Sequence, residues 1–361
     1  MTAPPRDLPR RVLLGALLSS WGALALGLSP TSCGPPPPPP VPAGPPAPPP
    51  EPDRHIPALT DLLTIARLQW LVLIRPEELM SLGWLRPSLA RVLRDDRLDL
   101  LAKATGIDLR VVPELALASY RAGRGAPAGQ QSTVAYFVRH TRVQLDIERK
   151  FRERLTSRAN RRVVGHQLVS VEGNIGLTHH SFVAVGPDVA GFQYGGDERR
   201  GPARIALLYA EGKLATIPRA LDDTALRGLH DRMGAPPLIA LLPGPFEGTM
   251  ARGARGLLGA ASGLGAGLEP TSRQTLRLHV HLAGAFDPAA TEATGYLEGA
   301  WQDLAQSDLG HLLGLHQPQS PPAIAASAHG LSLAVELDAA RLLAGLAAAT
   351  VDDVRLIMKH E

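Results

Sequence analysis

Twelve histidines and a single cysteine are the residues of this 361-residue chain from which catalytic or metal chemistry is most readily assembled. His279 and His281 stand two apart in Thr275–Ala283, where Leu276, Leu278, Val280 and Leu282 alternate with other residues. In a strand that spacing sets both imidazoles on one face, opposite the apolar side chains. Two such nitrogens can bind one zinc ion, but a catalytic zinc needs a third protein ligand, and the sequence names none. With Arg277, the pair reads as the wet side of a half-buried strand. His179 and His180 are adjacent, so a strand sends them to opposite sides and only one can serve a given site.

Other chemistries fail on spacing. There is no Gly-x-Ser-x-Gly elbow and no His-Glu-x-x-His helix, and Lys103, Lys150 and Lys213 lie outside any phosphate-loop pattern. Gly253 to Gly267 is glycine-rich, yet after Gly263 and Gly265 the third place of a dinucleotide fingerprint is Leu268. Gly259, Gly263 and Gly267, four apart, suit close packing of a helix instead. One cysteine excludes a disulfide framework and a cysteine-based zinc site. The sequence therefore assigns no catalytic residue, cofactor or metal, and it reads as non-enzymatic.

The strongest charge feature is Arg139–Arg162, with nine Arg and Lys residues against Asp146, Glu148 and Glu153. Arg149, Arg152 and Arg154 are its candidates for contact with anionic headgroups or an acidic polymer. The competing reading is a solvated helix stitched by Glu148–Arg152 and Asp146–Lys150, each four apart in the favourable order. The net charge is only +3, and Arg6, Arg10 and Arg11 less Asp7 supply +2 of it. That argues against a nucleic-acid partner. Asp95-Asp96, Asp222-Asp223 and Asp352-Asp353 read as helix-start or loop residues.

These groups need elements to hold them, and the apolar pattern from Ile56 onward supplies an alternation of strands and helices. Leu68–Ile74 reads as a buried strand stopped at Arg75-Pro76, and Glu77–Arg94 as a helix. Ser132–Val138 is a second strand. Thr141–Arg158 is a helix with Val143, Ile147, Phe151 and Leu155 in one narrow stripe. Arg162–Val171 and Gly176–Val185 form a hairpin around Glu172-Gly173-Asn174, with further strands at Phe192–Tyr194 and Ala203–Tyr209. Leu221–Met233 is a joining helix. The order then repeats: strand Leu238–Leu242, helix Phe246 to about Leu264, strand Thr275–Ala283, helix Pro288–Leu304, and a hairpin over Ile324–Leu337 turning at His329-Gly330.

The start of the chain has a different character. Arg6, Arg10 and Arg11 precede the apolar run Val12–Leu28, the layout of an export signal. The end of the run, Thr31-Ser32-Cys33, resembles a bacterial lipoprotein signal, with Pro30 where that family has leucine. The resemblance implies that Cys33 is lipidated and becomes the first residue of the mature chain. Ala23-Leu24-Ala25 is the rival cleavage site for an ordinary signal peptidase. Pro9-Arg10-Arg11-Val12-Leu13-Leu14 also resembles a twin-arginine signal, without the usual flanking residues. Gly34–Pro52 holds 13 of the 34 prolines. It is expected to extend as polyproline II and reach roughly 60 Å as a stalk. Gly34, rather than aspartate, follows the cysteine, which by the same resemblance implies the outer membrane.

Ile74-Arg75-Pro76-Glu77-Glu78-Leu79 and Thr105-Gly106-Ile107-Asp108-Leu109, within the repeated order, resemble uncharacterised bacterial cell-envelope proteins with duplicated α+β modules. The expected architecture is α+β, two similar modules of antiparallel or mixed sheet packed with helices. Signal peptide 1–32 and anchor with proline linker 33–55 precede modules 56–218 and 219–361. The expected function is a lipid-anchored cell-envelope protein with a binding or scaffolding role, facing the periplasm or the cell surface. Its partners are then the membrane and an envelope protein or anionic surface. A carrier of an apolar small molecule or lipid, and an envelope hydrolase without a recognisable motif, remain alternatives, as does a soluble periplasmic or secreted location.

Overall fold

A computed structural model describes residues 58–121, 132–164, 168–195, 201–213, 217–286 and 291–358. The export-signal run, Cys33 and the proline tract lie outside the described residues.

Leu68–Ile74 forms β1, and the expected stop passes straight into α1 (Pro76–Ser81), with Pro76 in its first turn. The single helix expected over Glu77–Arg94 is two. α2 (Arg86–Val92) starts afresh because Pro87 fits a first turn but not a helix interior. In α3 (Asp95–Thr105), Asp95 and Asp96 stand in the first turn and left-handed Gly106, at φ 82°, ends the helix. β2 (Glu114–Arg121) is a strand that the apolar pattern did not announce, since ELALASYR is buried on both faces and lacks alternation. β3 (Ser132–Arg139) matches expectation.

α4 (Gln144–Glu153) is shorter than its predicted span. Ile147 and Phe151 are buried, Val143 is exposed at the helix start, and Leu155 lies beyond the end. The strand expected over Arg162–Val171 is split between β4 (Asn160–Val164) and β5 (Leu168–Ile175). β5 turns into β6 (Thr178–Val185) at Gly176-Leu177, not at Glu172-Gly173-Asn174. Gly176, at φ 60°, provides the left-handed residue that the tight turn requires. β7 (Val189–Tyr194) follows.

Ala203–Tyr209, read as a strand, lies in α5 (Pro202–Ala210). The cause is local: Pro202 opens the helix, and the buried Gln193 side chain of β7 accepts the Ala203 N–H at 2.9 Å while donating to the Gly195 carbonyl at 2.9 Å. A Cβ on Gly201 would collide with the Gln193 amide, so the two residues require each other. Gln193→Leu is expected to leave those backbone groups unsatisfied and cost about 1–2 kcal/mol, read from a urea midpoint.

α6 (Thr224–Met233) is capped by Asp223, which accepts the Leu226 N–H, and leads to β8 (Leu238–Pro243). The long helix expected from Phe246 is replaced by the short α7 (Leu257–Ala260) and the strand β9 (Ala261–Pro270). The glycines do serve close packing, but at strand rather than helix spacing. Gly263, Gly265 and Gly267 share one side of β9, where a Cβ would meet Leu229, Met233 and Pro236 at 2.9, 2.5 and 3.1 Å. A glycine inside a helix costs up to ~1 kcal/mol, whereas here it lets α6 lie directly on the strand. β10 (Thr275–Gly284), α8 (Thr291–Ala305), α9 (Asp308–Leu313), β11 (Ala323–Ser327), β12 (Gly330–Asp338) and α10 (Ala339–Met358) complete the described chain.

The protein is α+β. The twelve strands among the described residues form one antiparallel sheet in the order β11-β12-β10-β9-β8-β1-β2-β3-β7-β6-β5-β4. Near the middle, β1 and β8 pair with Leu71 opposite Leu241 and Ile74 opposite Leu238. The front face is covered by a 3-10 turn at Leu59–Leu62 and by α5 and α6, around Leu63, Leu207, Leu226 and Leu229. The back face carries two cores. α4 covers Phe182 and Phe192 with Ile147 and Phe151. α2, α8 and α10 cover Leu276, Leu333 and Leu337 with Leu89, Trp301 and Leu343.

The segment before β1 is clasped by chain some 154 residues away. Ile65 N–H donates to the Pro218 carbonyl at 3.2 Å, Ala220 N–H to the Leu63 carbonyl at 2.7 Å, and Arg219 Nη1 to Asp61 at 2.9 Å.

Candidate functional site

Strand alternation determines which histidines meet other polar groups. On β6, His180 shares the back side with Phe182, while His179 takes the other side, as their adjacency requires. On β7, Tyr194 shares that back side with Phe192, and on β3 so does Tyr136. The register sets His180 opposite Tyr194. Their rings meet edge to face with centroids 4.7 Å apart, and Tyr194 stacks on Tyr136 at 5.6 Å. The two phenol oxygens are 2.8 Å apart.

Arg154, just beyond α4, lies near enough for its charge to act on both Tyr136 and His180. It stands in a connection pinned to β5: Thr156 N–H donates to the Asn174 carbonyl at 2.8 Å, and Asn174 N–H to Ser157 Oγ at 2.7 Å. Leu155 and Ser157 lie over Gly173, where a Cβ would come within 2.8 Å of Leu155, and Gly173 pairs with His180 across the ladder. The connection is thereby fixed above the histidine. Burial, followed by the charges of Arg154 and His179, lowers the His180 pKa to about 4, so this imidazole is neutral. Burial also keeps Tyr136 protonated.

The other two arginines of the expected basic trio face solvent. Arg149 is paired with Glu153 at 2.9 Å and Asp146 at 3.5 Å, and Arg152 lies 3.9 Å from Glu148. Asp146 pairs with Arg149, not with Lys150. Lys150 Nζ donates instead to the Lys103 carbonyl at 2.6 Å at the end of α3, where a cation offsets the helix dipole. The three arginines therefore present no common face.

His279 and His281 do share one side of β10, the front, opposite Leu276 and Leu282. Their rings lie 6.5 Å apart, with His279 Nε2 at 3.5 Å from Glu269 and Arg277 at 2.7 Å from Glu336. Burial, then His279 and Arg232, lowers the His281 pKa. Among the described residues no group of three or more His, Cys, Asp or Glu side chains is placed to hold a metal ion. A half-open hollow of about 210 Å³ between α1, α2 and α3 is lined by Glu77, Met80, Arg86, Asp95 and Arg110 among others. It is smaller than the ~300–1,000 Å³ of small-molecule pockets. No described helix is long and apolar enough to cross a membrane.

Sequence reasoning missed Tyr136 and Tyr194 and gave Arg154 an outward role. The signal available was alternation, which aligns His180 with Phe182 and Tyr194 with Phe192. The strand order that brings β3, β7 and β6 together has no local signature. No family model matches the chain, and no curated protein or solved structure is significantly similar to it.

Proposed function

We propose that the chain is a lipid-anchored cell-envelope protein, with Cys33 as the lipidated residue, Gly34–Pro52 as a stalk, and a duplicated α+β body that binds or scaffolds. The observation that carries the anchoring is the position of the sole cysteine, after the apolar run Val12–Leu28 and immediately before the proline tract. On this reading the outer membrane is the address, facing the periplasm or the surface.

Connectivity supports the duplication. From the β1–β8 seam outward, β1-β2-β3 on one side answers β8-β9-β10 on the other. In each half the third strand leads to a helix, α4 or α8, and the closing strand, β7 or β12, returns to pair with the third. The first half carries the additional hairpin β4-β5. An antiparallel seam is what an approximate two-fold between the halves requires. Of the trio Arg149, Arg152 and Arg154, the first two are exposed and are the ones left for an anionic surface. The alternatives of an apolar-ligand carrier and of a hydrolase using His279 and His281 gain no comparable support.

Fractionation of wild type and Cys33→Ser, with intact mass of the N-terminal peptide, tests the reading. The expected result is a membrane-bound wild type bearing a diacylglyceryl or triacyl mass on Cys33, and a released variant. A soluble wild type starting near Leu26 with a free thiol overturns it.

A further inference from the structure

The cluster beneath the end of α4 is rich in hydrogen-bond donors and poor in acceptors. Two phenols have two O–H groups, and the Tyr136–Tyr194 contact uses one of them, leaving the other without an acceptor among the described residues. Arg154 Nε is enclosed and donates to no described group, and no described carboxylate pairs with its guanidinium. His180 is 8% exposed, and its Nδ1 is enclosed without a partner. Such unmet groups cost about 1–3 kcal/mol each when buried. The connection carrying Arg154 is nevertheless pinned in place by five hydrogen bonds between Thr156 and Ser157 on one side and Asn174 and Gly176 of β5 and its turn on the other.

We infer that Arg154, Tyr136, Tyr194 and His180 form a binding site for the carboxylate of a small organic acid. The guanidinium supplies the counter-charge, the spare phenol O–H a second donor, and His180 an edge that the bound oxygen can approach. One fixed positive charge suits a singly charged carboxylate. A phosphate dianion calls for a second permanent cation, and Arg154 is the one arginine or lysine whose charge bears on His180. The inference gives the binding role proposed above a ligand class and rests on that role, not on lipidation at Cys33.

The test is a titration of the purified full chain with sodium acetate, and separately with inorganic phosphate, at constant ionic strength held with chloride. The readouts are the histidine ring resonances in the NMR spectrum and thermal unfolding. Acetate is expected to give a saturable shift at His180 and raise its pKa, and Arg154→Gln to weaken binding about tenfold or more. Tyr194→Phe should weaken it less. Should Arg154→Gln fail to fold, acetate against chloride on the wild type decides by itself. Three results overturn the site: no saturable shift up to about 100 mM acetate, phosphate preferred to acetate, or undiminished affinity in a folded Arg154→Gln. A membrane-bound chain that ignores acetate overturns this inference alone. A soluble chain that binds acetate overturns the anchoring alone.

Discussion

Arg161→Gln is expected to destabilise the protein by about 3 kcal/mol, because it strands a buried carboxylate. Glu148 is 4% exposed on the inner side of α4, and Arg161 of β4 grips it with two bonds, at 2.5 and 3.2 Å. The substitute for that guanidinium would be Arg152, 3.9 Å away and half in solvent, too remote and too hydrated to compensate. Replacing both partners with methionine should recover most of the loss, since neither charge is then desolvated. The urea midpoints of the single and double variants check this. Amide exchange should quicken first in β4, the edge strand that this bridge ties to the back layer.

The second large effect is acid lability centred on His180. In the unfolded chain this imidazole charges near 6.5, whereas in the fold it charges near 4. Between those values the unfolded state binds more protons, so acid favours unfolding. The contribution is complete above about 6.5 and is lost as the pH falls toward 4. Between pH 7 and pH 5 it amounts to about 2 kcal/mol. His140 and His281, whose pKa values burial also lowers, act in the same direction. His180→Phe keeps a ring beside Tyr194 and removes the titration. Denaturant unfolding at the two pH values should therefore show a slope flattened by about that amount in the variant, and an unchanged slope would exclude His180 as the source.

What the sequence disclosed depended on whether a segment's neighbours are local. β1, β3, β8, β10 and the β11–β12 hairpin are legible because their apolar runs and turn residues sit within each segment. α5 was misread because its decisive partner, Gln193, lies across a turn, and its apolar content suits a strand as well as a helix. β9 was misread for the opposite reason. Its glycines look like helix-packing residues until α6 is laid over them. β2 escaped because burial on both faces erases alternation. The donor-rich cluster was the least legible feature, for it needs four segments brought together by strand order. Its arginine lies just past the helix end that the four-residue stripe had extended too far.

The clasp at Leu59–Ile65 sets how the body responds to force applied through the chain ahead of Ala58. A pull there first meets the bonds to Pro218, Arg219 and Ala220 and then β1, an interior strand held on both sides by antiparallel ladders. Ladder bonds run across the strand, so tension along β1 loads both rows together in shear instead of opening them one at a time. The load crosses directly to β8 and is shared by both halves of the sheet. A body hung from this end is held at a mechanically resistant point, with its edges, β4 and β11, several strands away from the line of pull.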